Sequence, residues 1–343
     1  MTTGTDSRMY LEAAQAPNAV RGQLENNAVN VRRIGALLQE MQPRAVVTCA
    51  RGSSDHAATF AKYLIESRTK LLTTSAAPSM SSLYDAQPDM HGVVFLVISQ
   101  SGKSPDLLAS AENAKRNGAV VIALCNSPDA PLTQLADHTI PLHAGPETSV
   151  AATKSYIASL SAIVHLLACW TADQTLINAL MRAPEQLEQA WNLNWNAAVP
   201  VLQRANNLFV LGRGYGLGIA QEAALKFKET CGLHAEAFSA AEVKHGPMAL
   251  VGRGFPVLML SQNDESRSGI AKLAADFVAR GADVLLAGPP VLDTIPLPTI
   301  ASHAVIEPLL MVQSFYRMIA SLAPARGFDP DRPPHLNKVT ETL

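Results

Sequence analysis

A turn rich in hydroxyl groups follows one of the apolar runs of this 343-residue chain. It consists of Ser99, Gln100, Ser101, Gly102, Lys103, Ser104 and Pro105. Three hydroxyls, one amide and the N–H groups of a helix start could bind the oxygens of a phosphate, and proline suits the first helical position. An ordinary serine N-cap turn is the simpler interpretation of the serines alone. The density of donors at a strand end favours the anion site.

Three charged residues, Glu222, Lys226 and Glu229, lie at positions i, i+4 and i+7 of a segment with helical periodicity. This spacing places all three on one face of a helix. On spacing alone, a solvated ladder of charges is the simpler interpretation. The segment that follows adds Lys244 and His245. Because His245 precedes a Gly-Pro pair, it is expected in a turn, where catalytic residues are common.

Two glycine patterns resemble nucleotide-binding motifs and fail on spacing. Residues 102–104 match the end of a Walker A motif, but its first glycine would fall at Val97. Alternating glycines from 212 to 218 suggest a dinucleotide fingerprint, yet its third glycine would fall at Leu217 or Ile219. We therefore expect neither a P-loop nor a dinucleotide cofactor.

The elements that position these groups occur twice. Two similar apolar runs each end in an Arg-Gly turn, one at Arg51 and one at Arg213. We call the sequence separation of these two arginines the repeat offset. The same offset separates Ser99 from Ser261. With one residue inserted, the agreement continues to the glycine turns at 118 and 281. Three landmarks in one register indicate a duplicated domain.

Within each half, short buried runs alternate with helical stretches, which predicts βαβ units and a parallel sheet covered on both faces. The first half has predicted strands near 45–50, 93–98 and 119–124 and helices near 54–67, 104–117 and 149–170. The second half has predicted strands near 207–211, 255–260 and 283–286 and helices near 217–231, 266–280 and 307–322. The expected fold class is α/β, with two doubly wound, flavodoxin-like domains.

The predicted organisation has five parts. They are an N-terminal arm (1–25), a first domain (26–175), a helical linker (176–206), a second domain (207–325) and a C-terminal tail (326–343). The prolines of the tail prevent it from continuing a helix.

Composition excludes several classes of protein. A net charge of −2 excludes an electrostatic nucleic-acid binder, and 5% aromatic residues offer few stacking platforms. The four cysteines are scattered without metal-ligand spacing, as expected of thiols in a reducing compartment. No apolar run approaches the roughly 18 residues of a membrane span. We expect a soluble, cytoplasmic protein with no metal, no cofactor, no membrane contact and no nucleic-acid partner.

Taken together, the motifs resemble the isomerase part of glucosamine-6-phosphate synthase and the related deaminases, which contain two sugar isomerase (SIS) domains. The similar stretches lie at 9–20, 99–102, 147–154, 211–214, 222–229, 234–237, 242–247 and 335–340, and so cover nearly the whole chain. The Lys-His-Gly-Pro segment at 244–247 and the lysine of the tail are specific to this family.

The resemblance implies a role for each matching residue. The phosphosugar would be held by Ser53, Ser54, Ser99, Gln100, Ser101, Ser104, the Val150 backbone and Asn337. Glu229 would be the base that moves a proton between C1 and C2, supported by Glu222 and Lys226. His245 would open the sugar ring from the neighbouring subunit of a homodimer. Lys338 matches the lysine that forms a Schiff base with the ketose in the synthase.

Three departures from the synthase pattern bear on the reaction. Arg51 stands where the synthase has a cysteine, and Lys103 stands where it has an acidic residue. The synthase also carries a glutaminase domain whose nucleophile is a cysteine after Met1, whereas Thr2 follows here. We therefore expect no ammonia source in this chain.

The function expected from these observations is an isomerising deaminase that converts glucosamine 6-phosphate and water to fructose 6-phosphate and ammonia. Galactosamine-6-phosphate deamination, deglycation of a phosphorylated fructosamine and a synthase without glutaminase are the enzymatic alternatives. A phosphosugar-sensing regulatory module is the non-enzymatic one. In the second half, Asp264 and Glu265 occupy the positions of Gly102 and Lys103, and their negative charge predicts that this turn binds no phosphate.

Overall fold

A computed structural model describes residues 4–84 and 86–338. The first sheet contains the strands β1 (Ala45–Cys49), β2 (Thr73–Ser75), β3 (Val93–Ser99), β4 (Val120–Cys125) and β5 (His138–Pro141). The second sheet contains β6 (Asn207–Gly212), β7 (His234–Ser239), β8 (Pro256–Leu260), β9 (Asp283–Ala287) and β10 (Ile295–Leu297). Every strand pairs in parallel with its neighbours.

The helices of the first half are α1 (Arg8–Ala13), α2 (Ala16–Met41), α3 (Ser53–Thr69), α4 (Pro78–Ser82), α5 (Pro105–Arg116), α6 (Pro131–Leu135) and α7 (Lys154–Trp170). Those that follow are α8 (Gln174–Met181), α9 (Ala183–Trp191), α10 (Val199–Arg204), α11 (Gly216–Cys231), α12 (Arg267–Ala279) and α13 (Glu307–Ala325). Within the described residues, no helix is both long and apolar enough to cross a membrane.

The two sheets have the same topology. The strand order is β2-β1-β3-β4-β5 in the first sheet and β10-β9-β8-β6-β7 in the second, which is the same order taken from the opposite edge. Even the register repeats, because Val47 pairs with Phe95, and the residues one repeat offset later, Phe209 and Val257, also pair. Both sheets have the doubly wound, flavodoxin-like strand order. The predicted fold class and the duplication are confirmed.

The described residues form two compact units. The first-sheet unit contains residues 18–147, 155–181 and 337–338, and the second-sheet unit contains 4–17, 148–154 and 182–336. Each unit has its own core on its sheet, around Phe95 and Val97 in the first and around Met259 and Phe277 in the second. The predicted boundaries at 175 and 325 remain a prediction.

Helix α2 is the largest element that the sequence pattern did not predict, and the boundary drawn at residue 25 falls inside it. Its buried face carries two amides, Gln23 and Asn27, among apolar side chains such as Leu24 and Ile34. Gln23 donates to the carbonyl oxygens of Leu142 and Ala158, and Asn27 donates to that of Pro141 at the end of β5. Polar residues on a buried helix face hide the apolar period by which helices are recognised.

The six predicted strands are confirmed, and the short outer strands β2, β5, β7 and β10 are additions. Helix α7 begins at Lys154, later than predicted, because an irregular loop occupies the residues before it. Helix α13 ends at Ala325, and the described part of the tail contains no helix or strand, as its prolines predict.

Candidate functional site

The serine-rich turn lies at the topological switch point of the first sheet. Strand β1 stands between β2 and β3, so the chain order reverses between β1 and β3. Ligands of open parallel sheets bind beyond the carboxyl ends of the strands at this point. The turn follows β3, and Ser53 and Ser54 open α3 just after β1. Because β1 and β3 are parallel neighbours, the structure brings these residues to one edge of the sheet.

Glycine is required inside this turn. The N–H of Gly102 donates to the Ser99 hydroxyl over 3.0 Å, and the φ of Gly102 is +64°. A Cβ on this residue would lie 2.6 Å from the Cβ of Ala130 and 2.7 Å from the sulfur of Cys125. Both the backbone conformation and the lack of space therefore exclude a side chain.

The hydroxyl of Ser104 distinguishes the two interpretations of the turn. Ser104 stands at the N-cap of α5 with extended backbone, and Pro105 is the first helical residue, as predicted. Its side chain makes no capping hydrogen bond within the described part of the chain. A serine that only capped the helix would use its oxygen in this way. The donors at this turn therefore fit an anion site better than an ordinary cap.

Two residues of the first-sheet unit lie in the C-terminal tail. The Lys338 ammonium is 3.6 Å from Oε2 of Glu147, and Asn337 is exposed. Glu147 is buried and also accepts a hydrogen bond from the backbone N–H of Ser155, in the first turn of α7. A carboxylate fixed by α7 thus holds the lysine of the tail. The matching tail residues after 338 lie outside the described residues.

The second-sheet unit contains Glu222, Lys226 and Glu229 of α11. Glu222 and Lys226 are fully buried, and Glu229 is partly buried. The Lys226 ammonium lies 2.6 Å from Oε2 of Glu229 and 3.1 Å from Oε1 of Glu222. The hydroxyl of Tyr316 on α13 donates to the same Glu222 oxygen over 2.9 Å. The solvated ladder of charges is therefore wrong.

Burial and charge within this cluster have opposite effects on Lys226. Burial alone would lower the pKa of its ammonium, but the carboxylates of Glu222 and Glu229 outweigh burial and raise that pKa. Lys226 is therefore a fixed cation. Glu229 is the member that reaches solvent, with 18% of its side chain exposed. An accessible carboxylate beside a permanent cation is suited to accept and return a proton.

The SIS domain family matches residues 41–168 and 201–287. The chain belongs to the SIS domain family. An isomerizing glutamine–fructose-6-phosphate aminotransferase of Thermotoga maritima is 31% identical, and the alignment covers 96% of this chain and 58% of that protein. The chain therefore spans little more than half the length of this relative.

Solved SIS structures agree with the fold. A protein of Silicibacter pomeroyi DSS-3, provisionally assigned as a phosphosugar isomerase, superposes with a TM-score of 0.91 at 43% identity. The match covers 95% of this chain and 100% of that one. A glucosamine-6-phosphate deaminase of Thermotoga maritima superposes with a TM-score of 0.80 at 22% identity, covering 98% and 100%. At that identity the second match supports the fold alone.

His245 does not belong to helix α11 and lies further along the chain, after β7. It ends a short 3-10 turn at Glu242–Lys244, and its side chain is exposed. Its backbone N–H donates to the Glu242 carbonyl oxygen, and in the described chain no side-chain hydrogen bond or ion pair holds its ring. The prediction of a turn at His245 is confirmed, and its role in ring opening stays a prediction.

Val150 belongs to an irregular loop of the second-sheet unit that a distant residue organises. Glu12 of α1 accepts hydrogen bonds from the N–H and hydroxyl of Thr148, at 2.7 and 3.0 Å, and from the N–H of Ser149 at 3.1 Å. Neither Glu12 nor Tyr316 was predicted as a site residue. Glu12 falls in a stretch similar to the SIS family, whereas nothing in the spacing around Tyr316 marks it.

The corresponding turn of the second sheet is organised differently from the serine-rich turn. The Asp264 carboxylate accepts from the N–H and hydroxyl of Ser266 and from the side-chain amide of Gln262. The same amide donates to the Arg213 carbonyl oxygen over 2.7 Å. Several donors of this turn are therefore already occupied by a carboxylate of the chain itself.

Proposed function

We propose that this chain is a phosphosugar isomerase of the SIS family, and that it acts as an isomerising deaminase. Its reaction converts glucosamine 6-phosphate and water to fructose 6-phosphate and ammonia. The observation that carries the proposal is the buried cluster of Glu222, Lys226 and Glu229. Burying charged groups is costly, and strongly perturbed groups of this kind are concentrated at functional sites.

Phosphate binding is assigned to the first-sheet unit. The turn after β3 offers hydroxyls and backbone donors to the phosphate, with Ser53 and Ser54 contacting the sugar. Val150 and Asn337 are the further contacts that the family resemblance implies. The Ser104 hydroxyl, which does not cap its helix, and the helix dipole of α5 both favour an anion. This assignment agrees with the phosphosugar names of the relatives.

Proton transfer is assigned to Glu229. After His245 opens the ring, Glu229 removes the proton at C2 of the open-chain aldehyde and returns it to C1, while a proton of the C2 ammonium passes to the aldehyde oxygen. The products of this step are a C1 hydroxymethyl group and an iminium at C2. Water then adds to C2, and ammonia leaves as the ketone forms. Lys226 orients this base by donating to its carboxylate, and Glu222 in turn pairs with Lys226.

Lys338 is the cation that the resemblance places at the substrate carbonyl. Its pairing with Glu147 supports a positioned ammonium rather than a freely moving tail. For His245 we propose a contribution to the neighbouring subunit of a homodimer, supported by its exposed turn and by Leu250 nearby, which is 66% exposed.

The test is an assay of purified protein that reads fructose 6-phosphate and ammonia together. Glucosamine 6-phosphate, galactosamine 6-phosphate and a phosphorylated fructosamine are compared as substrates. Equal amounts of both products from glucosamine 6-phosphate support the proposal. If either other substrate is preferred, that sugar is the substrate in place of glucosamine 6-phosphate. If the protein isomerises without releasing ammonia, it is not a deaminase. If it binds these sugars without turnover, it is a sensor.

Glu229→Gln isolates the base. We expect turnover to fall by about 10²–10⁴-fold with phosphosugar binding retained, because the amide keeps the shape and cannot accept the proton. Glu40→Gln, which changes an exposed carboxylate on α2, is the matched control. Mixing Glu229→Gln with His245→Ala protomers tests the dimer, since activity returns only if the histidine acts across subunits.

A further inference from the structure

Arg51 at the end of β1 forms an ion pair that the predicted site does not use. Its Nε and Nη2 each lie 2.8 Å from Oδ2 of Asp106. The Asp106 side chain is only 1% exposed, whereas that of Arg51 is 52% exposed. One edge of the guanidinium is therefore fixed by a buried carboxylate, and much of the remainder faces solvent.

The position of this pair connects it to the serine-rich turn. Asp106 is the second residue of α5 and closely follows Ser104, and Arg51 follows a strand that neighbours β3. The guanidinium therefore lies at the same edge of the sheet as the predicted phosphate site. A guanidinium presents its N–H donors in a planar fork that suits phosphate oxygens.

The second sheet provides an internal comparison. Arg213 is the counterpart of Arg51, but at the same repeat offset the position that corresponds to Asp106 holds Ser268. Arg213 instead donates to the hydroxyl of Ser239 over 3.0 Å. The carboxylate that orients the arginine occurs only in the sheet whose turn can receive a phosphate.

We propose that Arg51 binds the phosphate group of the substrate and that Asp106 is the positioning residue that holds it there. The inference rests on the proposed phosphosugar function and assigns a cationic ligand to its phosphate. Hydroxyls and backbone N–H groups bring no charge to a phosphate, whereas Arg51 is a cationic donor even though Asp106 balances part of its charge. It follows that this protein recognises a phosphate carrying two charges in preference to a neutral group at the same carbon.

The competing explanation is that Arg51 only neutralises Asp106. A double variant distinguishes this explanation from phosphate binding by Arg51. The measurement is calorimetric binding of fructose 6-phosphate to the full chain, with fructose as the uncharged probe. We expect Arg51→Gln to weaken binding by about tenfold to a hundredfold, as for loss of a charged hydrogen bond. The double variant Arg51→Gln/Asp106→Asn removes the unpaired carboxylate, should fold normally, and should bind as weakly as the single variant.

Four outcomes decide the matter. Weak binding by both variants, with Arg213→Gln unchanged, supports the proposal. Recovery of normal affinity in the double variant would show that Arg51 only neutralises Asp106, and would overturn it. Normal affinity in Arg51→Gln overturns it while leaving the phosphosugar function intact. Absence of fructose 6-phosphate binding to the unaltered chain overturns the proposed function and this inference together.

Discussion

Helices α3 and α11 hold the same place in the two sheets but carry opposite chemistry on their buried faces. Where α11 has Glu222 and Lys226, α3 has Phe60 and Leu64, each one repeat offset earlier and fully buried. Strand order and pairing register are the same around both helices. The same fold therefore accepts either an apolar pair or an ion pair at these positions.

This difference between α3 and α11 shows that the fold does not require charged residues at these positions. Buried ions cost several kcal/mol each in lost hydration, and apolar side chains of similar volume avoid that cost. Because α3 packs on its sheet with apolar residues, the charges of α11 are not required for folding. Their presence in only one copy fits the proposal that Glu229 of this copy transfers the proton.

The turns after β3 and β8 show the complementary difference. Gly102 brings no side chain into the first turn, whereas Asp264 supplies a carboxylate that accepts from Gln262 and Ser266 in the second. We keep the prediction that the second turn binds no phosphate.

The most severe test of this comparison replaces a charged residue of α11 with the residue that α3 has at the corresponding position. Lys226→Leu leaves the carboxylates of Glu222 and Glu229 without their cation, and we expect the free energy of unfolding to fall by about 3–5 kcal/mol. Urea denaturation followed by circular dichroism measures the change. Lys228→Leu, at an exposed position of the same helix, should change it by less than about 0.5 kcal/mol.

A second variant extends this test. Glu222→Phe/Lys226→Leu reproduces the apolar pair of α3 and should regain part of the lost stability while remaining inactive. If Lys226→Leu proves as stable as Lys228→Leu, the buried charges do not form the network described above.

Acid sensitivity should arise in the first-sheet unit. Burial, and to a smaller extent Arg32, lower the pKa of His165 on α7 from 6.5 to about 4. Below pH 6.5 the unfolded chain binds a proton that the folded chain does not bind until about pH 4, so stability falls as the pH falls through this window. From pH 7 to pH 5 the histidine should account for a loss of about 2 kcal/mol.

His165→Gln, which carries no titratable ring, is the comparison for this prediction. Its unfolding free energy should fall about 2 kcal/mol less than that of the unaltered protein between pH 7 and pH 5. Equal losses in both proteins would show that His165 does not remain neutral in the folded chain.

Glycine substitutions should show how tightly the first turn is packed. Gly102→Ala forces a Cβ against Ala130 and Cys125 at a positive φ, so we expect a loss of about 1–2 kcal/mol and weaker phosphosugar binding. Gly269→Ala on α12 meets no neighbouring atom within 4 Å and should be neutral or stabilising by about 0.5 kcal/mol. Thermal unfolding of both variants checks this, and a neutral Gly102→Ala would contradict the tight turn.

The smallest expected effect concerns single hydroxyls. Ser104→Ala should weaken fructose 6-phosphate binding by about tenfold, because one hydrogen bond to a charged oxygen is lost. Ser266→Ala, the counterpart in the second sheet, should leave the affinity within about twofold, since its hydroxyl serves Asp264. A reversed result would move the phosphate to the second turn.

Much of the fold could be predicted because the central strands are continuous apolar runs in a repeated register. What the pattern missed has physical causes. The outer strands β2 and β10 are three residues long, too short for a period to show. In helix α2 the buried amides Gln23 and Asn27 interrupt an otherwise apolar face, so its apolar period is broken.

The residues of the candidate site could be predicted where they belong to a sequence motif. They could not be predicted where segments distant in sequence come into contact only in the folded chain. Spacing placed Glu222, Lys226 and Glu229 on one face but favoured a solvated ladder, because sequence does not show that α13 covers that face. The contact of Tyr316 with Glu222 joins residues 94 positions apart. The pairing of Arg51 with Asp106 likewise depends on two neighbouring strand ends, which the linear pattern does not compare.

The central claim is that Glu229 moves a proton between C1 and C2 of an aminosugar phosphate and thereby releases ammonia. Turnover of glucosamine 6-phosphate in D₂O, followed by NMR, tests it directly. We predict one ammonium per fructose 6-phosphate, with solvent deuterium or the former C2 hydrogen at C1. With Glu229→Gln we predict that both products form about 10²–10⁴-fold more slowly. Ammonia release at the unaltered rate by Glu229→Gln would contradict the claim.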